Sequence, residues 1–398
     1  MKILFVNKFL YTVGGCENYM IELAKTLNEQ GHETQFFGCD SEKKTLSNEF
    51  GIYVKSYDDK KIFNPFTLVY NKKAGKQLSK LLDLYKPDIV HMNNISYHLT
   101  SSVIDACKKK KVPVVMTVHD PQLVCPNHML YRFDTKEICD ECIQKKSFKP
   151  CLEHKCLKGS FLKSYLGYKE SIRTHKLDSY SYISKLICPS EFIQSKLIAG
   201  GYSKEQTMVL RNFSNVQKSD KKISKQDYVL FFGRLSEEKG IDVLLKAMPD
   251  DIKLIIAGTG PLADMIKKVN KSNISYVGFK SGDELKKLIQ GARFSIYPSK
   301  WYENCPLSIF ESITLGTPVI AANQGGNVEL IDDGINGVLY ENCNVEDLNS
   351  KITALYNNSP LLEKMYANCA NYKRVPSKEE YYHQIMSLYE EWKNEKTN

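Results

Sequence analysis

The sequence predicts an α/β chain made of two consecutive Rossmann-like units, each a doubly wound parallel sheet, and three observations carry that prediction. Its 398 residues exceed what one hydrophobic core usually supports. Short apolar strands alternate with amphipathic helices along nearly the whole length, which is the pattern of βαβ units and parallel sheets. Near the middle, residues 214–226 with the run KSDKKISKQ are polar and charged, as an interdomain linker should be.

The first unit opens with the strand KILFVNKF, the pair Gly14-Gly15, and an apolar stripe from Glu17 to Gln30 formed by Tyr19, Met20, Leu23, Ala24 and Leu27. Gly31 suits the left-handed end of that helix. Strand HETQFFG follows, then a helix around Lys76–Tyr85, strand PDIVHMNN, helix Tyr97–Lys110 and strand VPVVMTVHD. After a cysteine-rich insertion at 125–156 come a basic helix, strand KLICPS, helix EFIQSKLIAGG and strand TMVLRN, which ends the domain near residue 213. The second alternation, 227–375, runs through YVLFFGRL, GIDVLLKAM, DIKLIIAGTGP, a helix, ISYVGF, DELKKLIQGA, RFSIYPS, CPLSIFESITLG and PVIAAN. Residues 376–398 hold one more amphipathic helix, expected to pack back on the first domain.

Composition narrows the class. With 42% hydrophobic and 25% charged residues the chain reads as globular, and no apolar stretch approaches the length of a spanning helix. The N-terminus turns polar and glycine-rich too soon for a signal peptide, so a cytoplasmic location is expected. The net charge of +9 favours an acidic partner. Nine of the basic residues lie between Ile143 and Lys176 against only Glu153 and Glu170, which suggests contact with an anionic membrane face. A nucleic-acid partner is not expected, because that stretch shows no interleaving of stacking aromatics with its charges.

Ligands of parallel α/β sheets bind beyond the carboxyl ends of the strands, so the loops there are where chemistry is sought. Gly14-Gly15 opens onto a helix and can turn backbone N–H groups toward an anion, although the spacing is not the dinucleotide fingerprint of a dehydrogenase. Arg234 and Lys239 share the loop after FFGRL, where a planar fork and a mobile ammonium suit a departing diphosphate. Glu303 and Glu311, with seven residues between them, bracket a helix start. Pro306 suits the first turn there and leaves the N–H groups of Leu307 and Ser308 free for phosphate. His119 ends the strand VPVVMTVH. There is no D-x-D triplet, so a metal-bridged diphosphate is not expected. In the insertion, Cys125, Cys139, Cys142, Cys151 and Cys156 have spacings compatible with a structural zinc, the one metal the sequence suggests. Such a metal would order a segment that looks too polar to have its own core.

In order along the chain stand Gly14-Gly15, VHD ending at Asp120, GRLSEEKG at 233–240, AGTGP at 257–261, VGF at 277–279 and the long run from Glu303 to Leu339. This set resembles the family-4 retaining glycosyltransferases of bacterial polysaccharide biosynthesis (glycosyl transferases group 1), over nearly the whole chain. One position departs: Asn304-Cys305 stands where the family commonly has glycine after the first glutamate. The resemblance implies a GT-B fold with the two domains facing a cleft, and a nucleotide-sugar donor with UDP ahead of GDP. It further implies a glycan or lipid-linked acceptor, retention at the anomeric carbon and no catalytic cofactor. It assigns Arg234 and Lys239 to the diphosphate, Glu303 and His119 to the transferred sugar, Glu311 to the ribose, and Gly14-Gly15 to the donor. A nucleotide-sugar 2-epimerase, which shares this fold, is the alternative; it would turn over donor without acceptor.

Overall fold

From Ile3 to Val6 the first strand is apolar and fully buried, as a strand covered on both faces must be. In the computed structural model, which describes residues 1–55, 64–213, 216 and 223–395, that strand is the core of the first of two units. The first unit is Met1–Phe213 with Ser377–Asn398, and the second is Ser214–Pro376.

Unit one runs β1 (Lys2–Val6), α1 (Gly15–Glu29), β2 (Glu33–Phe37), the short parallel pair β3 (Cys39–Asp40) and β4 (Val54–Lys55), α2 (Lys72–Tyr85), β5 (Ile89–Met92), α3 (Ser102–Lys110) and β6 (Val114–Thr117). The insertion follows, with the hairpin β7 (Tyr131–Arg132) and β8 (Glu137–Ile138), then α4 (Glu141–Gln144) and α5 (Lys149–Glu153). The unit resumes with α6 (Phe161–Lys176), β9 (Lys185–Cys188), α7 (Glu191–Ala199) and β10 (Thr207–Val209). Its sheet has the order β10-β9-β6-β5-β1-β2, every pair parallel.

Unit two runs β11 (Val229–Arg234), α8 (Ile241–Ala247), β12 (Leu254–Thr259), α9 (Ala263–Lys267), β13 (Ile274–Tyr276), α10 (Gly282–Gly291), β14 (Ser295–Tyr297), α11 (Leu307–Thr314), β15 (Val319–Ala322), α12 (Asn327–Leu330), β16 (Gly337–Tyr340), α13 (Val345–Tyr356) and α14 (Ser359–Ala370). Its sheet, in the order β13-β12-β11-β14-β15-β16, is also parallel throughout. The last helix, α15 (Lys378–Glu395), belongs to unit one. Tyr381, Ile385 and Tyr389 on it are fully buried among Ile3, Phe5, Tyr19 and Met20.

Several boundaries differ from the sequence reading for local reasons. Helix α3 starts at Ser102 rather than Tyr97, because Tyr97 and Thr100 take φ of 65° and 62°, outside helical space. Most of the expected linker, 214–215 and 217–222, lies outside the described residues. Within its remainder, Lys225 is bonded into unit two, its Nζ 2.7 Å from Thr317 Oγ1. The insertion nevertheless buries several of its own residues, Cys125, Leu130, Tyr131, Ile143 and Cys151.

Candidate active site

The order of the second sheet reverses direction at β11: the chain goes outward through β12 and β13, then returns to place β14 on β11's other side. Ligands of such sheets bind where the loops diverge, here beyond Arg234 and Tyr297. Arg234 is exposed at the end of β11, and among the described residues no hydrogen bond or ion pair engages its guanidinium. A Cβ on neighbouring Gly233 would lie 3.9 Å from Ser308 Oγ, so this strand end rests against the first turn of α11.

After β11 a single turn, Glu237–Lys239, ends at Gly240 with φ of 69°. A Cβ there would stand 1.9 Å from Pro298 O, so only glycine lets this loop lie against the loop after β14. That approach delivers Lys239 to Glu303. Three donors converge on Glu303 Oε1: Lys239 Nζ at 2.6 Å, Ser299 Oγ at 2.5 Å and Trp301 Nε1 at 2.8 Å. Lys239 Nζ also donates to Tyr297 OH at 3.2 Å. Glu303 is only 8% exposed. Burial opposes its charge, yet Lys239 and the hydrogen bonds prevail and hold the carboxyl below its ordinary range. Burial likewise opposes the Lys239 charge, and Glu303 overrides it and raises the ammonium's pKa.

The backbone around Glu303 is clamped from β15's loop. Gln324 Nε2 donates to Ser299 O at 2.6 Å and Trp301 O at 2.8 Å, and Gly326 N donates to Glu303 O at 2.7 Å. A Cβ at Gly326 would come within 1.6 Å of Asn304 O. Tyr297, Ser299, Trp301, Gln324 and Gly326 were not singled out from sequence. Their signal was position: each lies at or just after the carboxyl end of β14 or β15.

Pro306 caps α11 from one residue outside it, and its carbonyl accepts Ile309 N at 3.1 Å and Phe310 N at 3.3 Å. Among the described residues the N–H groups of Leu307 and Ser308 meet no acceptor, so the positive end of α11 is open beside Arg234's strand. Glu311 is half-buried one turn further along, with no bonded partner among the described residues, and burial lifts its carboxyl to about 7.

In unit one, His119 lies two residues past β6, with Nε2 2.8 Å from Asn93 Oδ1 and its ring edge-on to Tyr19 at 5.0 Å. Burial pushes the imidazole down to about 3, so it is neutral at physiological pH. Gly14 and Gly15 are exposed at the head of α1. The Gly14 N–H, expected to face a ligand, is instead taken by Glu17 Oε2 at 3.0 Å, and Glu17's other oxygen accepts Asn7 Nδ2 at 3.1 Å. This capping carboxylate satisfies the helix start from within the chain.

Cys125, Cys139, Cys142, Cys151 and Cys156 all line one small cavity together with His154. The Cys151 and Cys156 thiols are hydrogen-bonded to each other, and Cys125 Sγ donates to Asn127 Oδ1 at 2.9 Å. Among the described residues no group of three or more His, Cys, Asp or Glu side chains is arranged to hold a metal ion. An ion pair between Lys196 and Asp140 at 2.5 Å and a hydrogen bond between His154 Nε2 and Glu141 Oε1 at 2.9 Å contribute to the insertion's order. Nor is the basic stretch without exposed apolar side chains: the aromatic Phe161 at the head of α6 is 59% exposed and the aliphatic Leu162 beside it 61%.

A doubly wound unit whose switch point gathers two cations, a buried carboxylate and an open helix N-terminus belongs to the class of α/β proteins built to hold a diphosphate. The chain belongs to Glycosyltransferase Family 4, whose model matches residues 13–218, and the glycosyl transferases group 1 model matches residues 212–374. It is a glycosyltransferase of GT-B type. Among its relatives is an uncharacterized glycosyltransferase of Methanocaldococcus jannaschii, 27% identical over 350 residues, covering 82% of this chain and 81% of the relative. An uncharacterized 42.6 kDa protein from the cps region of Klebsiella pneumoniae is 27% identical over 354 residues, covering 83% and 87%. Of solved structures, Anabaena HepE in complex with UDP shares the fold at a TM-score of 0.70 and 20% identity, over 98% of this chain and 100% of that one. No helix among the described residues is long and apolar enough to cross a membrane.

Proposed function

We propose that this glycosyltransferase moves a sugar from a nucleoside-diphosphate donor to a glycan or lipid-linked acceptor of a cell-surface polysaccharide, with retention at the anomeric carbon. The observation that carries the reading is the group at β11, β14 and α11: Lys239, together with Arg234 and the N–H groups of Leu307 and Ser308, which meet no partner among the described residues. Arg234, Lys239 and the helix end hold the diphosphate. Glu303 takes hydroxyls of the transferred sugar, Glu311 the ribose, and neutral His119 a sugar hydroxyl. As the anomeric carbon–oxygen bond to the diphosphate breaks, these donors stabilise the charge on the leaving group. The acceptor hydroxyl then bonds to the carbon on the same face and gives its proton to the departing diphosphate. Glu303 does not serve as a covalent nucleophile in this scheme, since three donors already converge on one of its oxygens.

A UDP-sugar stands ahead of a GDP-sugar, because UDP is the ligand named for the HepE structure. Thermal shift across UDP-, GDP- and ADP-sugars tests the donor, since a bound ligand raises stability by mass action. The anomeric configuration of the product, read by NMR, tests retention; an inverted product refutes it. The lipid-linked acceptor is met at an anionic membrane on the cytoplasmic side, docked through Phe161 and Leu162 with exposed Lys155, Lys158 and Lys163 around them. Salt-sensitive co-sedimentation with anionic but not neutral vesicles is the expected result, and equal recovery from both refutes docking.

A further inference from the structure

The backbone from Ser299 to Trp301 is fixed from three neighbouring loops. Gln324 Nε2, after β15, donates to Ser299 O and Trp301 O; Lys300 N–H donates to Glu238 O at 2.9 Å in the turn after β11; and Asn342 Nδ2, after β16, donates to Lys300 O at 3.1 Å. The Lys300 side chain, 8% exposed, pairs with Asp242 of α8 at 2.6 Å. Ser299 and Trp301, on either side of it, both donate to Glu303 Oε1. With Lys239, three donors share that one oxygen. A carboxylate oxygen has about two lone pairs, so Oε1 is saturated. Oε2 meets no donor among the described residues. The Lys239 ammonium keeps a third proton beyond those given to Glu303 and Tyr297 OH.

We propose that Trp301 is a positioning residue for Glu303: its indole N–H helps commit Oε1 and so presents Oε2, alone, to a hydroxyl of the transferred sugar. The inference rests on the sugar contact given to Glu303 above. An indole suits this task because it donates without accepting and carries no charge, so it neither takes the carboxylate's proton nor accepts the sugar's. Its ring also lies 5.5 Å from Lys239 Nζ, within cation–π reach, so one side chain touches both the carboxylate and the ammonium of the pair. Without the indole N–H, Lys239 and Ser299 can spread over both oxygens, because the carboxylate's last torsion is two-fold. The sugar hydroxyl then competes with them.

The direct measurement is the indole N–H region of a ¹H–¹⁵N correlation spectrum of the full chain. The chain has two tryptophans, so Trp392→Phe leaves the Trp301 signal alone. Expected is a Trp301 signal that moves when Glu303→Gln removes the charge to which it donates; an unmoved signal in the folded double variant overturns the proposal. In Trp301→Phe, which keeps a ring beside Lys239, UDP-sugar turnover followed as UDP release should fall at least tenfold in kcat. The Kd for UDP, which has no sugar, should change less than threefold. A merely structural role would weaken UDP binding as much as turnover, and that result, or a wild-type kcat, refutes the inference. Wild-type enzyme that binds neither UDP nor GDP would instead remove the donor-site reading and the inference with it, and the indole signal tells this apart from a failure of the Trp301–Glu303 contact.

Discussion

Removing Lys239 while leaving Glu303 in place isolates the interaction at the centre of the proposed donor site. In Lys239→Met the Glu303 carboxylate, 8% exposed, keeps only Ser299 and Trp301 as donors to its engaged oxygen. Breaking a buried pair by deleting one partner typically costs about 3–5 kcal/mol, because the remaining charge is stranded. Glu303→Gln strands the ammonium in turn, with Tyr297 OH as its remaining partner in the group. The double variant Lys239→Met/Glu303→Gln carries no charge there, so it should be more stable than the sum of the single losses by about 2–3 kcal/mol. Transfer behaves differently: all three variants should lose roughly 10²–10³-fold in kcat/KM, as electrostatic contacts to a leaving group do. The chain's two tryptophans help, since Trp301 sits on Glu303 in unit two while Trp392 lies on α15 in unit one. Urea unfolding followed by fluorescence in a Trp392→Phe background therefore reports unit two, and turnover of a UDP-sugar reports function. The pH sign follows from the depressed carboxyl: the pair's contribution is complete above pH 4.5 and is lost as pH falls through the lower folded value. Additivity within about 0.5 kcal/mol, or activity restored in the double variant, refutes the reasoning.

Arg234→Ala should leave stability within about 0.5 kcal/mol, because an exposed side chain with no partner among the described residues holds nothing in place there, yet cost roughly 10²-fold in kcat/KM; loss of both or of neither contradicts its assignment. Gly326→Ala forces a Cβ into Asn304 O, so the Glu303 loop must move, with about 1–3 kcal/mol of destabilisation and at least tenfold lower kcat/KM in a folded enzyme; a wild-type rate shows that the clamp is dispensable. Glu170 on α6 is 5% exposed, and burial lifts its carboxyl from 4.5 to about 7, a shift corresponding to about 3 kcal/mol. Because the folded state holds this proton more tightly, wild-type stability falls as pH rises from 4.5 through 7, so Glu170→Gln should match wild type near pH 4.5 and exceed it increasingly up to pH 8 in urea titrations; a pH-independent difference refutes the buried charge.

Strands covered on both faces were legible as uninterrupted apolar runs, which is why all six strands of the first sheet and five of the second could be read from segments such as KILFV and LFFG, whereas β16, the short edge strand GVLY, was not. Helix starts were less legible where the backbone leaves helical space for tertiary reasons. The 97–100 segment has helix-compatible residues, but Asn71 N donates to Thr100 Oγ1 at 2.9 Å and Asn71 Nδ2 to His98 O at 2.7 Å, and these bonds hold it as a turn. The insertion misled in the opposite direction. Its lysines and prolines suggest no core, but Tyr131, Ile143 and Cys151 are buried in a segment where the chain reverses through the β7–β8 hairpin, and no local periodicity marks residues buried in that way.

Within the candidate site, residues whose chemistry is rare at their location were legible and residues that act by shape were not. A lysine after a strand of a parallel sheet stands out because nothing in strand or turn propensity calls for it there. Gln324, Gly325 and Gly326 stand out far less, since glycines in a loop ordinarily signal only a turn. Their consequence depends on how closely the β15 loop approaches the 299–304 backbone, a distance set by two strands lying side by side. Gly14 illustrates the same limit in reverse. Its glycine pair at a helix start fits anion binding, but Glu17, three residues on, supplies an anion from within the chain. In sequence the capping-box spacing competes with the ligand-binding interpretation on equal terms, and only the 3.0 Å contact decides that the Gly14 N–H serves the helix. At Arg234 and the head of α11 no side chain plays that part among the described residues, which is why the diphosphate is proposed to sit there.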